Sequence, residues 1–580
     1  MRAMKHLLRL CLTGGLSLAA VACSATATGP FMAASEDEER SAYGAYLAAR
    51  MAGSERDTRN ASDYYAQALD RAPDSGFLLE RAFIAALMAG DTDRAVETAG
   101  DAARAADESR LARLFLAADA LAERRYTQAA GWLETDGFGP FNAFLADVLG
   151  DWSNAGLGNA ETAIARTESE PPPSFALAFQ TLHRAMLLEE AGRFEEAGTV
   201  YSAAMNQTPF RRMAVEMLGA NLERRGQRED ARTLYQSYLA SEPFEPTITE
   251  ALARVEAGRR APRPLTIQQA AARAIYGPAA LFASQAEMDL AVIYLRLAQR
   301  LDPDYASTRV LLAATLERLE LHDAALAEYA AVPEGPFKRS AEIDRIYLIA
   351  RTGDPDTAMT LAQALVARDN DIEARMMLAD LHRWQGNLEE AQAGYGEVIA
   401  ERLANGQQPN WQLYYFRAAA LETLGRWDEA EPLFLAALEI APGEAQILNY
   451  LGYAWVVRGQ NIEEAFTMIG RAVAMEPDAG YIIDSLGWAH YVRGDYAEAV
   501  THLERAAALS PDSPTINFHL GDAYAQVGRH LEARFQWQRA LELDPDEEEI
   551  EALHARLETG LPADAADDTA VVESQVNNEP

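Results

Sequence analysis

The stretch Leu486–Val500, "LGWAHYVRGDYAEAV", returns 34 residues later as "LGDAYAQVGRHLEAR", Leu520 to Arg534. Small and apolar residues persist while charged ones change. Leu486 and Gly487 match Leu520 and Gly521, and Ala499, Ala506 and Pro511 match Ala533, Ala540 and Pro545. One unit earlier Leu451, Gly452, Ala465, Ala472 and Pro477 keep the same order, with one extra residue in the turn "RGQNIEEA". An insertion is tolerated where a loop absorbs it.

Residues of this kind at this spacing serve close helix packing. Leu and Gly in a first helix, and Ala in a second, allow two backbones to approach. Larger rings fill the space between units, and Trp537, Phe434, Tyr395, Tyr329, Tyr235 and Tyr201 stand where such a ring is needed. Pro then stops the second helix. The pattern continues upstream through Ala197, Tyr201, Ala204 and Pro209, through Ala231, Tyr235 and Pro243, and through Tyr65, Ala68 and Pro73. A 34-residue helix-turn-helix period resembles the tetratricopeptide repeat, and about a dozen helix pairs are expected from roughly residue 40 to 547. The expected fold is an all-α superhelical solenoid.

Two breaks divide the pattern. "ESEPPPS" around Pro171 is turn-rich, and "EAGRRAPRPLT", Glu256 to Thr266, combines charge with two prolines. The expected organisation is an N-terminal array over 40–243, a joint over 244–273 centred on 256–266, and a C-terminal array over 274–557. That last array ends in a capping helix with Ile550, Leu553 and Leu557 on one face. A polar, Ala- and Asp-rich tail over 558–580 is expected to be disordered.

The 580 residues carry 88 acidic against 51 basic side chains, a net charge of −37. Such a balance repels a phosphate backbone, so nucleic acid is not an expected partner. At the N-terminus Arg2, Lys5 and Arg9 precede an apolar run from Leu10 to Val21 and then small residues, the layout of a secretory signal over residues 1–22. Of the two cysteines, Cys11 lies in that signal, which leaves Cys23 as the sole mature thiol and permits no internal disulfide. "AAVA" before Cys23 resembles the lipobox of bacterial lipoproteins, with Ala20 where that motif usually has Leu. Lipidation of Cys23 explains a lone exported thiol; plain cleavage after Ala20-Val21-Ala22 also satisfies the sequence. Residues 23–39 read as a flexible linker.

Catalytic patterns are missing from the sequence: there is no H-E-x-x-H, G-x-S-x-G, P-loop or C-x-x-C, and "GFGPF" at Gly137 lacks the third glycine of a dinucleotide fingerprint. The histidines, among them His490, His502, His519 and His530, show no ligand spacing, so neither metal nor cofactor is expected. A non-enzymatic protein with no small-molecule substrate is the reading. First-helix positions left over by the packing pattern are Tyr415, Asn449, Tyr453, Asp484, Trp488, Phe518 and Asp522. Rings beside polar groups suit a concave peptide-binding groove, and they equally suit packing between neighbouring helices.

The C-terminal run from Asn449 to Leu543 and the opening "YLAARMAGSERDTRNASDYYAQALDRAPDSGFLLERAF" together resemble a group of bacterial tetratricopeptide lipoproteins. That group includes outer-membrane adaptors that hold a periplasmic carboxy-terminal processing protease and its substrates. The resemblance implies an outer-membrane lipoprotein facing the periplasm, with a soluble periplasmic protein as the alternative. Ser24 is not the Asp that such lipoproteins use for inner-membrane retention. It implies periplasmic or envelope protein partners met through the repeat grooves; an assembly factor for a pilus or secretion system is the other reading.

Overall fold

The computed structural model describes residues 41–561 apart from 106–108, 135–137, 170–176, 207–209, 244 and 286. The signal, Cys23, the linker, the break around Pro171 and most of the tail lie outside the described residues. Thirty α-helices and no strand occur among the described residues.

Successive helices pair as antiparallel hairpins, and each pair stacks on the next. The hairpin turn needs one left-handed residue. At Arg56, Gly90, Arg124, Gly158, Gly192 and Gly226, each 34 residues after the last, φ lies between 58° and 84°. Glycine takes that conformation without a Cβ clash, whereas Arg56 and Arg124 adopt it at a steric cost. Helix starts are equally local in origin. Ser513 accepts a bond from the Ile516 amide ahead of Pro514, and Thr266 with Gln269 forms a reciprocal capping box.

Close approach of the two helices of a unit is visible at the repeated glycine. A Cβ on Gly487 would lie 2.6 Å from Leu503 Cγ, and one on Gly452 would lie 2.8 Å from Ile469 Cγ1. The six expected rings, Tyr201, Tyr235, Tyr329, Tyr395, Phe434 and Trp537, are all buried. The final helix, Glu547–Thr559, caps the stack with Leu553 wholly buried.

The region expected as a joint between two arrays is something else. Pro246–Glu256 is a helix, and residues 257–266 cross back to the helix Ile267–Ser284, which begins inside the expected joint because of its capping box. That helix and its partner Met288–Leu301 pack on the first helices of earlier units: Gly76–Ala89, Arg110–Ala122, Gly139–Gly156 and Leu177–Glu190. They lie along the inner face of the N-terminal stack. Gln268 Nε2 donates to the Leu121 carbonyl at 3.0 Å, and Arg300 Nε donates to Asp119 at 2.9 Å. Ile275, Tyr294 and Leu295 join Phe83, Phe115 and Leu187 in one core that runs from Leu79 to Leu348. The two stacks therefore share a core across the break, and the chain fills much of its own N-terminal groove.

Candidate functional site

The seven groove candidates are buried, from fully covered Asp484 to Tyr453 at 9% exposure. The expectation of an open groove at these side chains is corrected on this point. The turn of each unit brings consecutive first helices so close that their inner faces pack on each other. Tyr415 packs edge-on against Phe434 and Tyr450 at 5.8 and 5.5 Å.

What the fold does bring together is a polar seam through this core, on the helices Ala445–Val457, Gly480–Val492, Pro514–Gln526 and Glu547–Thr559. His519 Nδ1 sits 3.0 Å from both Asp484 carboxylate oxygens, and its ring stacks on Trp488 at 4.1 Å. Asp522 accepts from Trp537 Nε1 at 2.8 Å and from Arg556 Nε at 2.7 Å, and the Arg556 guanidinium lies over Phe518 at 4.6 Å. Burial pushes the Asp522 carboxyl above its usual range, opposed by Arg556. Glu549 accepts from Thr515 Oγ1 at 2.6 Å. Five buried atoms along the seam have no protein partner among the described residues: Asn449 Oδ1, Tyr453 Oη, Trp488 Nε1, His519 Nε2 and Glu549 Oε2. The Asp484–His519 pair has the geometry that orients an imidazole for proton transfer. Both side chains are wholly buried, and His519 Nε2 has no hydrogen-bond partner among the described residues.

The same device recurs along the chain, one repeat apart. An acid on a first helix accepts from a tyrosine twelve residues on and from a cation on the next first helix. Glu223 receives the Tyr235 hydroxyl at 3.0 Å and Arg254 Nη2 at 2.6 Å. Glu189 receives Tyr201 and Arg224, and Glu317 receives Tyr329 and Arg351. Asp151 takes His183 Nε2 at 2.9 Å and Arg166 Nε at 2.8 Å, which hold its carboxyl below the usual range although burial raises it. Burial, with Glu223 alongside, drives the Tyr235 hydroxyl far above its ordinary pKa. Buried charges of this kind are tolerated only when paired, and pairing across units fixes how one unit sits on the next. Arg556 and these acids were not singled out by sequence, and His519 entered only as a histidine without ligand spacing. The readable signal is an acid followed by Tyr at twelve and by Arg or His at 31–36 residues. It is faint in a chain so rich in acids.

Among the described residues no group of His, Cys, Asp and Glu is arranged to hold a metal, and no helix is long and apolar enough to cross a membrane.

Residues 376–445, 417–480 and 485–548 match the model of the tetratricopeptide repeat. The TPR repeat-containing protein PA4667 of Pseudomonas aeruginosa is 26% identical over 175 residues. That alignment covers 30% of this chain and 29% of the relative, under a third of its length. Of solved structures, a tetratricopeptide repeat protein from Parabacteroides merdae is 16% identical with a TM-score of 0.36, over 44% of this chain and 99% of that one. The Cut9-Hcn1 structure is 15% identical with a TM-score of 0.39, over 91% and 97%. The pilF protein of Pseudomonas aeruginosa is 18% identical with a TM-score of 0.28, over 36% and 90%. The fold is an all-α tetratricopeptide-type solenoid.

Proposed function

We propose that this chain is a non-enzymatic adaptor of the bacterial envelope, tethered through a lipidated Cys23 to the outer membrane and holding periplasmic proteins together. A processing protease and its substrates are the partners this reading favours. The observation that carries it is the helix stack running from Ala42 to Thr559, in which buried acids pair with cations of the next unit, as Glu223 with Arg254 and Asp522 with Arg556. A frame built that way is rigid, and rigid repeat frames present extended surfaces to other proteins.

The test is cross-linking of intact cells followed by purification of the tagged chain and identification of what is bound. Recovery of a periplasmic protease with its substrates supports the adaptor; recovery of pilus or secretion components supports the assembly reading. Turnover of a defined substrate by the purified chain refutes both. Cys23→Ser should move the protein from membranes to the soluble fraction, because an acyl chain is the anchor in this reading. Unchanged membrane fractionation of that variant removes the tether.

A further inference from the structure

A concavity of about 500 Å³ opens at the N-terminal end of the stack, beside the start of the second helix of the inserted hairpin. Its floor is apolar, formed by Tyr65, Ile84, Met88 and Leu321, and Arg50 and Arg81 stand at its rim. Arg56 fixes the far wall by donating to the Leu319 carbonyl and pairing with Glu320 at 3.5 Å. Arg56 and Glu320 are both left-handed turn residues, so two hairpin turns far apart in sequence close this end of the stack.

The charges at the rim are the informative feature. In a neighbouring concavity of about 300 Å³ the arginines are neutralised by the chain itself. Arg296 and Arg309 are bonded to Glu328, and Arg300 to Asp119 and Glu123. Arg50 and Arg81 are not. Neither forms an ion pair or hydrogen bond among the described residues, and Arg81 only lies over the Phe77 ring, 5.6 Å from its centroid. Burial raises the pKa of the Tyr65 hydroxyl, and the Arg81 and Arg50 guanidinia oppose that rise. Among the described residues Asp289 is the one carboxylate lining the concavity. In a chain with 88 acidic residues, two unpaired arginines above an apolar floor make a local site for negative charge. A bare inorganic anion would leave the floor wet, whereas an extended chain with alternating carboxylate and apolar side chains satisfies rim and floor together.

We propose that this groove binds an extended peptide segment that sets carboxylates against Arg50 and Arg81 and an aliphatic or aromatic side chain on the floor between Tyr65 and Leu321. The proposal names the chemistry of a partner and rests on the adaptor reading; partner recovery from cells without peptide binding here would leave that reading standing. Direct binding tests it, by fluorescence anisotropy of the purified full chain with a fluorescein-labelled peptide, Gly-Asp-Leu-Asp-Leu-Asp-Leu-Asp-Gly. Its Asn-for-Asp and Lys-for-Asp analogues serve as comparison probes. The Asp probe should bind about tenfold or more tighter than the Asn analogue and weaken as salt is raised. Arg50→Glu with Arg81→Glu should cost the Asp probe about tenfold or more and confer binding of the Lys probe, with the helical circular dichroism spectrum unchanged. Both side chains are exposed, and Arg50→Gln with Arg81→Gln provides the milder variant if the reversal disturbs folding. Equal binding of Asp and Asn probes overturns the proposal, as does unchanged binding by either folded double variant. It also falls if the wild-type chain binds no probe but a chain with Glu36, Asp37, Glu38 and Glu39 changed to amides does. The chain's own acidic segment would then be the occupant.

Discussion

A pair of glycine substitutions isolates the packing that the 34-residue period encodes. Gly487 and Gly470 both lie inside helices, so Gly→Ala gains the same propensity at each, about 0.5–1 kcal/mol. Their surroundings differ. A Cβ at Gly470 meets nothing within 4 Å. One at Gly487 would sit 2.6 Å from Leu503 Cγ, 2.9 Å from its Cδ2 and 3.3 Å from its backbone nitrogen. Leu503 is wholly buried and the contact reaches its backbone, so no rotamer change relieves it and the two helices must part. Overpacking of that kind costs about 1–3 kcal/mol, and the shared propensity term cancels in the comparison. Gly470→Ala should therefore be about 1–3 kcal/mol more stable than Gly487→Ala, with Gly487→Leu worse still. Because each unit leans mainly on its neighbours, the loss should appear first as faster hydrogen exchange across residues 480–509. Equal stability of the two alanine variants would refute the close-approach reasoning. Exchange that loosened uniformly over the whole chain would refute the nearest-neighbour architecture.

Removing Glu223 strands Arg254 and the buried Tyr235 hydroxyl at once, so Glu223→Ala should cost about 3–5 kcal/mol locally, read as exchange over residues 211–256. A loss below about 0.5 kcal/mol would show the ladder to be incidental. The Asp344 carboxyl is raised to about 6 by burial and by Glu317 beside it. Its folded pKa exceeds the unfolded one, so its contribution is fully present below about pH 4 and is lost as pH rises through 6. Asp344→Asn should then be more stable than wild type at pH 8, by at most about 3 kcal/mol, with a smaller gain in urea melts at pH 5. An advantage that grew on acidification would contradict this environment. Trp488→Ala with Tyr453→Ala should lower stability by several kcal/mol, because both rings are core. A double variant that melts like wild type would return them to the surface. A Cβ added at Gly277 would lie 2.9 Å from Phe179 Cδ1, so Gly277→Leu should lift the inserted hairpin. Faster proteolysis within residues 257–266 is the expected readout.

Legibility followed locality. Units with glycine in the turn, such as those closing at Gly494 and Gly528, announce themselves, whereas those turning at Arg56 and Arg124 hide the same conformation behind a residue that rarely adopts it. The capping box at Thr266 and Gln269 was present in the sequence, yet the prolines before it drew the joint seven residues too far, to 273. For the groove candidates, spacing placed Tyr453, Asp484 and Trp488 on the right face of their helices. It did not say whether that face meets solvent or the next unit.

The sequence by itself determined the helix pairs, their period and which rings and glycines meet within a unit. Those depend on contacts a few residues to one repeat apart, and each leaves a mark at fixed spacing. Only the tertiary structure decided that the hairpin Ile267–Ser284 and Met288–Leu301 packs on the N-terminal inner face, that the C-terminal candidates are buried, and that Arg50 and Arg81 have no ion-pair partner among the described residues. These outcomes depend on small rotations between units that accumulate over many repeats, bringing Gln268 to Leu121 and Arg56 to Leu319 across separations that no period records.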